Sequence, residues 1–403
     1  MIKKLTKFLK KISFSNPRCA EIIIFDGTNA HLIREVIPEN FTSTIFKTRP
    51  VEIHITPRIL CNFIVNLKYL KFKSDVISHR TSFNEILWQL LCIYIKSDLS
   101  SRSPKAIITF IDNCDKFSWL SKTYRQAPCI AIQNGLRLTC DSYSYSAQEY
   151  YCQHLFCFGE REVVDFPKLG YKVDHFYPVG SLALSINWDN KLSSTDSAYD
   201  LLIVSCWRGN NSFVQHDEDG MKSMRIMDGL LSEYLKRHDL KIAVILRTER
   251  DSDHWVMSEV GMSEEEYFKS IYGDRIEIID LNLSERNVYP VMRSAEVIIA
   301  GFSTTCLLEA YGMGKKILYA NFCDTNKYHV DFKPDIVFEG TENSYEYFEA
   351  RLDALRTISN EDYSREHKAT MKYYMSNPLI KSTQNAIRNN LLNLILSEQS
   401  SAR

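Results

Sequence analysis

The chain has 403 residues, 45% hydrophobic and 25% charged, with a formal net charge of −1. That length makes two domains the default, and the near-zero charge gives no global reason to expect nucleic acid as a partner. Eleven cysteines are scattered without a C-x-x-C pair, and no H-E-x-x-H spacing occurs, which argues for reduced thiols and against a built-in zinc site.

No apolar run approaches the roughly 18 residues needed to span a bilayer. The N-terminus, MIKKLTKFLKKISF, reads differently. On a helix Ile2, Leu5, Phe8, Leu9 and Ile12 share one face, and Lys3, Lys4, Lys7, Lys10 and Lys11 fall largely on the other. The lysines interrupt the apolar stretch that a signal peptide requires. Residues 1–19 therefore read as a basic amphipathic helix whose first 14 residues suit an anionic membrane surface. A plain surface helix is the competing reading.

EIIIFD (Glu21–Asp26) is a short buried strand ending at Asp-Gly, followed by helix-compatible residues 28–36. Two strand candidates lie within 43–55, divided by Pro50, and helices are expected over 58–70 and 82–95. KAIITFI (Lys105–Ile111) and CIAIQ (Cys129–Gln133) are further buried strands, with a helix through Trp119 between them. Strands at 155–158 and 175–178 flank a helix at 160–169. The polar run 187–199 has no period and serves as a linker.

Alternation then restarts, with strands at 201–205, 242–246, 276–279, 297–300 and 316–319. Helices are expected at 221–236, 263–271, 288–293 and 304–311, and helical segments over 344–396 finish the chain. Such alternation predicts doubly wound parallel sheets. The partition is 20–186, the linker 187–199, 200–375, and a C-terminal helix and tail at 376–403. Two such halves predict a ligand cleft between them.

The strongest local signal is SAEVIIAGFSTTCLLEAYGMGKKILYANF (Ser294–Phe322). A buried strand ends at Gly301, and Ser303, Thr304 and Thr305 open a helix carrying Glu309. A helix start offers unpaired N–H groups and a positive dipole end, which suits a phosphate; ordinary capping explains the same hydroxyls. Gly312, Gly314 and Lys315 lack Walker spacing. Arg208, Arg247 and Arg250 lie at strand ends, where guanidinium groups grip phosphates, although surface ion pairing competes.

In the first half Asp26, Asp112, Asn113, Gln133, Asn134 and Arg137 all follow strand C-termini. A carboxylate there suits a general base or a nucleophile, but Asp, Asn and Gly are also ordinary turn residues. His31 sits one turn into the first helix. The other histidines are scattered and read as structural.

ITFIDN (108–113), AIQNGLR (131–137), PVGS (178–181), IVSCWR (203–208) and GFSTTCLLEAYGMGKK (301–316) together resemble a bacterial family of surface carbohydrate biosynthesis, from O-antigen and capsule loci. The last block also resembles glycerophosphate transferases and retaining Kdo transferases. Cys206 stands where the family more usually has Gln, which puts a role for that side chain in doubt.

The resemblance implies a GT-B fold, with two Rossmann-like domains facing across a cleft and C-terminal helices. It implies a nucleotide donor on 200–375, an acceptor on 20–186, and no cofactor or metal. On this reading the enzyme is a glycosyltransferase moving a sugar from a nucleotide donor to a lipid-linked or glycan acceptor. A CMP-activated acidic sugar such as Kdo is the donor expectation. Arg208, Arg247, Ser303, Thr304, Thr305 and Glu309 would hold the donor, and Asp112, with Asp26 second, would be catalytic. Asn113, Gln133, Asn134, Arg137 and His31 would face acceptor or sugar. The expected location is the cytoplasm, peripheral on the inner membrane. Other readings are a CDP-alcohol-dependent glycerol- or ribitol-phosphate transferase using His31, a non-catalytic glycan-binding or assembly subunit, and a nucleotide-sugar epimerase.

Overall fold

The computed structural model describes residues 12–48, 52–70, 83–137, 150–187, 198–207, 215–247, 262–279, 288–322, 336–338, 344–376 and 382–401. The chain divides into two compact units. The first comprises 1–134, 143–186 and 381–403, and the second comprises 135–142 and 187–380. The partition is thus not the simple halving read from the linker. A short excursion after Asn134 and the C-terminal helix each belong with the other half of the sequence.

The first unit holds strands β1 (Ile12–Ser13), β2 (Ile22–Phe25), β3 (Ser43–Phe46), β4 (Ile53–His54), β5 (Ala106–Thr109), β6 (Cys129–Ile132), β7 (Tyr151–Cys157) and β8 (Lys172–Pro178). Six of them form one sheet in the order β3-β2-β5-β6-β7-β8, every neighbour parallel. Unbroken apolar runs build its centre because these strands are covered on both faces. Ile22, Ile24, Ile108 and Ile130 pack with Leu32, Ile33 and Val36 on one side. Ile23, Phe25, Ile107 and Cys129 pack with Ile95, Leu99, Phe117 and Leu120 on the other.

The C-terminal helix Ser382–Ser401, read from sequence as a tail, is part of that core. Ile387, Leu391 and Ile395 join the Ile22 side. Thr383 Oγ1 donates to Val179 O at 2.7 Å, and Arg388 Nη2 donates to Glu35 O at 2.7 Å. The expected N-terminal helix through residue 19 is also corrected. Ile12 and Ser13 are extended and pair in parallel with Ile53 and His54, and Ser13 O accepts from Ile55 N at 2.8 Å. Residues 1–11 lie outside the described residues.

Expected helix ends shift for local reasons. The helix expected over 28–36 shrinks to Ala30–Arg34, because Asp26 (φ 76) and Asn29 (φ 54) occupy the left-handed region. The one expected to stop at 95 continues to Arg102, whose guanidinium pairs with Asp98 one turn back.

The second unit holds β9 (Tyr199–Val204), β10 (Ile242–Ile245), β11 (Ile276–Ile279), β12 (Ala295–Ala300), β13 (Lys316–Ala320) and β14 (Val337–Phe338). Its sheet runs β11-β10-β9-β12-β13-β14, again all parallel. The two-residue β14 was too short for periodicity to reveal. Chain direction across the sheet reverses between β9 and β12 here, and between β2 and β5 in the first unit. Ligands of open α/β sheets bind beyond the strand C-termini at such reversals. No helix among the described residues is long and apolar enough to cross a membrane.

Two features of this unit yield measurable outcomes. At the end of β12 a Cβ on Gly301 would lie 2.7 Å from Met224 Cα, in the helix Gln215–Arg237. Gly301→Ala should therefore force strand and helix apart and cost about 1–3 kcal/mol, read as a lower urea midpoint. Asp228, on the same helix, is fully buried and accepts hydrogen bonds from Tyr267 Oη (2.8 Å) and Tyr272 Oη (2.6 Å). Burial pushes its carboxyl up to about 7, against the two hydroxyls, which lower it. The folded protein thus keeps this proton at pH values where the unfolded chain, with Asp near about 3.9, has released it. Its contribution to stability is complete below about pH 4 and is lost as pH rises to about 7. Asp228→Asn should flatten that slope; an unchanged slope in urea midpoints between pH 5 and pH 8 would show that Asp228 does not cause it.

Candidate functional site

In the first unit the reversal lies between the ends of β2 and β5. Asp26 follows β2, is buried, and is held in the left-handed region. Its Oδ1 accepts from Thr28 N (3.0 Å) and Thr28 Oγ1 (2.8 Å), while Oδ2 accepts from Thr48 Oγ1. Those bonds make Asp26 the clamp of its own turn, the role that strand-end aspartates commonly have. His31 is exposed on the short helix that follows.

Asp112 follows β5 and is buried. Its Oδ1 accepts from Asn134 N at 3.1 Å, tying the loop after β5 to the end of β6. Asn113, beside it in sequence, and Asn134, bonded to it through its backbone, are partly exposed. Gln133, expected to orient a sugar, is buried and hydrogen-bonded at both ends of its amide. Its Oε1 accepts from Phe158 N at 2.9 Å and its Nε2 donates to Glu162 Oε1 at 3.4 Å. Both ends of the amide thus serve the β6–β7 connection.

Glu162, not singled out in sequence, is the hub of that connection. It is fully buried, accepts from Gly159 N at 2.9 Å, and lies 3.4 Å from Arg161 Nη1. Burial raises its pKa even though Arg161 and the donated hydrogen bonds oppose the shift. The available signal was the Gly159-x-x-Glu162 spacing, a helix-start pattern in which the N3 acid reaches back to the N-cap amide.

In the second unit the reversal lies between β9 and β12. After β12, Thr304 is the N-cap of the helix Thr305–Gly312, and its Oγ1 accepts from Leu307 N at 3.0 Å. The three expected phosphate-holding hydroxyls therefore divide their duties. Ser303 Oγ donates to Tyr319 Oη at 2.7 Å, and Thr305 Oγ1 accepts from Leu136 N at 2.9 Å. Glu309, expected to hold a ribose, is buried and accepts from Tyr289 Oη at 3.2 Å on both oxygens. It joins two helices inside the unit.

Residues 135–137 also differ from expectation. Arg137 was read with the first half, yet the chain after Asn134 belongs to the second unit. Arg137 is buried, and its Nη1 donates to Leu136 O at 3.3 Å. A Cβ on Gly135 would meet both Arg137 Nη1 and Thr305 Oγ1 at 3.1 Å. The Arg137 guanidinium and the start of the helix Thr305–Gly312 are therefore both close to Gly135. Periodicity could not reveal this neighbourhood, because the Leu136–Thr305 bond that closes it spans 169 positions in sequence.

At the end of β9, Ser205 Oγ accepts from Trp207 N at 3.2 Å, and the Cys206 thiol donates to Phe302 O at 3.4 Å. Cys206 thus links the two strand ends flanking the reversal. Arg247, after β10, is exposed; its Nη1 donates to Trp207 O at 2.7 Å, and its N donates to Glu264 Oε1 at 2.9 Å. Arg208 and Arg250 lie outside the described residues. Among the described residues no cluster of three or more His, Cys, Asp or Glu side chains could hold a metal ion.

The Leu136–Thr305 bond can be tested alone. Thr305→Val keeps the side-chain shape and removes the acceptor. It should cost about 1–2 kcal/mol and speed hydrogen exchange at the Leu136 amide. Unchanged exchange there would mean that the bond does not hold the segment.

No family model matches the chain, and no curated protein matches it in sequence. Solved structures do match. UDP-GlcNAc 2-epimerase from Neisseria meningitidis bound to UDP-GlcNAc is 16% identical, with a TM-score of 0.52, covering 92% of this chain and 99% of that one. The Methanocaldococcus jannaschii UDP-GlcNAc 2-epimerase in complex with UDP-GlcNAc and UDP is 12% identical, with a TM-score of 0.50, covering 92% and 99%. UGT73P12 of Glycyrrhiza uralensis, complexed with glycyrrhetinic acid 3-O-monoglucuronide, is 11% identical, with a TM-score of 0.50, covering 96% and 97%. The likeness is one of fold: this chain has two Rossmann-like parallel sheets of the GT-B class with flanking helices.

Proposed function

We propose that this chain is a glycosyltransferase that binds a nucleotide-activated sugar on its second unit and transfers the sugar to a lipid-linked or glycan acceptor in surface polysaccharide synthesis. One observation carries the reading. The helix Thr305–Gly312 begins at the reversal between β9 and β12, and its Thr305 hydroxyl and the Arg137 guanidinium both come close to Gly135. A helix start and a guanidinium form a favourable setting for the phosphate of a nucleotide leaving group. They neutralise developing charge without requiring a metal ion. An acidic sugar on CMP, such as Kdo, fits the same basic surroundings.

Within that reading the first unit supplies acceptor chemistry. Asp112 is the proposed catalytic carboxylate, acting as general base on an acceptor hydroxyl, with Asn113 next in sequence and Asn134 bonded to it through its backbone N–H. Asp26, Gln133, Ser303 and Glu309 support the loops that present these groups. The surface-polysaccharide setting rests on the motif resemblance alone. A second reading, nucleotide-sugar epimerisation, is favoured by one specific observation: two of the quoted structures of like fold are UDP-GlcNAc 2-epimerases.

A thermal-shift panel of CMP, CDP, UDP, GDP and their sugars tests the donor. A ligand at about 100 times its Kd should stabilise the protein by about 2.7 kcal/mol. Asp112→Asn retains an oxygen to accept from Asn134 N. It should keep the melting temperature and nucleotide binding but lower transfer by about 10²–10⁴-fold. Wild-type turnover by this variant would remove Asp112 from the mechanism, and no response to any nucleotide would end the proposal. Stabilisation by UDP-GlcNAc, with its C2 epimer accumulating without acceptor, would establish the second reading.

A further inference from the structure

In the first unit the helix Pro57–Asn66 turns one side inward. Ile59 is buried, Asn62 Nδ2 donates to Ser97 O at 3.3 Å, and Asn66 Nδ2 donates to Ser97 Oγ at 3.1 Å. Its outer side carries Leu60, Ile64 and Val65, with Ile64 67% and Val65 64% exposed. Leu67, just past the helix, and Leu87, on the neighbouring helix, are exposed as well. Single apolar residues on a surface need no explanation, but several gathered on one helical face do. Phe14, 77% exposed, follows Ser13, whose O accepts from Ile55 N just ahead of the helix cap Thr56.

Charged residues along 53–74 have one sign. No Asp or Glu occurs between Glu52 and Asp75. Arg58 and Lys68 stand exposed at the two ends of the apolar face. Arg58 and Asn62, one turn apart, line an open hollow of about 320 Å³ with Ser100, Ser103, Pro104 and Gln126. It offers a guanidinium, two amides and two hydroxyls, and no carboxylate. Ser103 adopts a left-handed backbone (φ 51), and its hydroxyl accepts from Arg58 Nη2 at 3.2 Å.

We infer that this face docks on an anionic lipid bilayer. Leu60, Ile64 and Val65 enter the acyl boundary, and the hollow at Arg58 receives a headgroup phosphate. Charge decides the occupant. Residues 1–11 carry five lysines and no carboxylate, so charge does not favour them as the occupant. A second copy joined symmetrically would bring the same cations against themselves. Anionic headgroups complement both the apolar strip and its cationic ends. The inference is independent of the proposed transfer reaction and uses residues apart from it.

The test is co-sedimentation of the full chain with vesicles of phosphatidylcholine alone and of equimolar phosphatidylcholine and phosphatidylglycerol. Wild type should prefer the anionic vesicles. Ile64→Ser combined with Val65→Ser should lower partitioning more than about tenfold. Arg58→Gln should lower it about fivefold on anionic vesicles only. All these side chains are exposed, so far-UV circular dichroism and melting temperature should stay at wild-type values. Unchanged partitioning of the double variant, or equal binding of wild type to both vesicle types, overturns the inference. So does a wild-type dimer that the double variant makes monomeric, which would give the face to a second copy. If inorganic phosphate stabilises wild type but not Arg58→Gln, while that variant partitions normally, the hollow serves free phosphate instead.

Discussion

The central strands of both sheets are buried on both faces, and everything else in this molecule follows from that. A strand such as Ile22–Phe25 or Ala106–Thr109 has no face on which a functional polar side chain can stand. Its backbone is satisfied by parallel neighbours and its side chains by helices above and below. Chemistry is therefore confined to the loops beyond the strand ends. Within each unit those loops converge where the chain reverses direction across the sheet.

Confinement has a consequence for how the polar side chains are used. The loops beyond the strands must be held in shape, and here the holding is done by the same residue types that catalysis would use. Asp26 clamps its own turn, Gln133 bridges to Phe158 and Glu162, and Ser303 reaches Tyr319. Buried polar groups are stable only when hydrogen-bonded, so each such residue is fixed by a specific partner. The Thr304 cap and the Thr305–Leu136 bond extend this logic to the helix start. The result is a preorganised rim, the property an enzyme of this architecture needs at a site where charge develops.

Much of the fold was legible from residues alone. Short apolar runs ending in Asp-Gly, Asp-Asn or Asn-Gly mark strands that end at turns, and β11 and the helix Val288–Arg293 lie where periodicity puts them. Other boundaries moved where a local conformation or a distant partner intervened. The left-handed Asp26 and Asn29 shortened one helix, and the Arg102–Asp98 pair prolonged another. The assignment of Ile12 to a helix failed because a helical apolar pattern and a two-residue strand cannot be told apart over so few positions.

The candidate site was legible as a set of positions, not as a set of partners. Sequence by itself determined that polar residues gather at strand ends, that a hydroxyl-rich helix start follows β12, and that residues 53–74 contain no carboxylate. Only the tertiary structure decided that Leu136 bonds to Thr305 with Arg137 close by, that Ser382–Ser401 completes the first unit's core, and that Glu309 faces Tyr289. The physical reason is range. Periodicity and turn chemistry act over a few neighbouring residues, whereas these contacts join segments far apart along the chain, brought together by burial of the sheets between them.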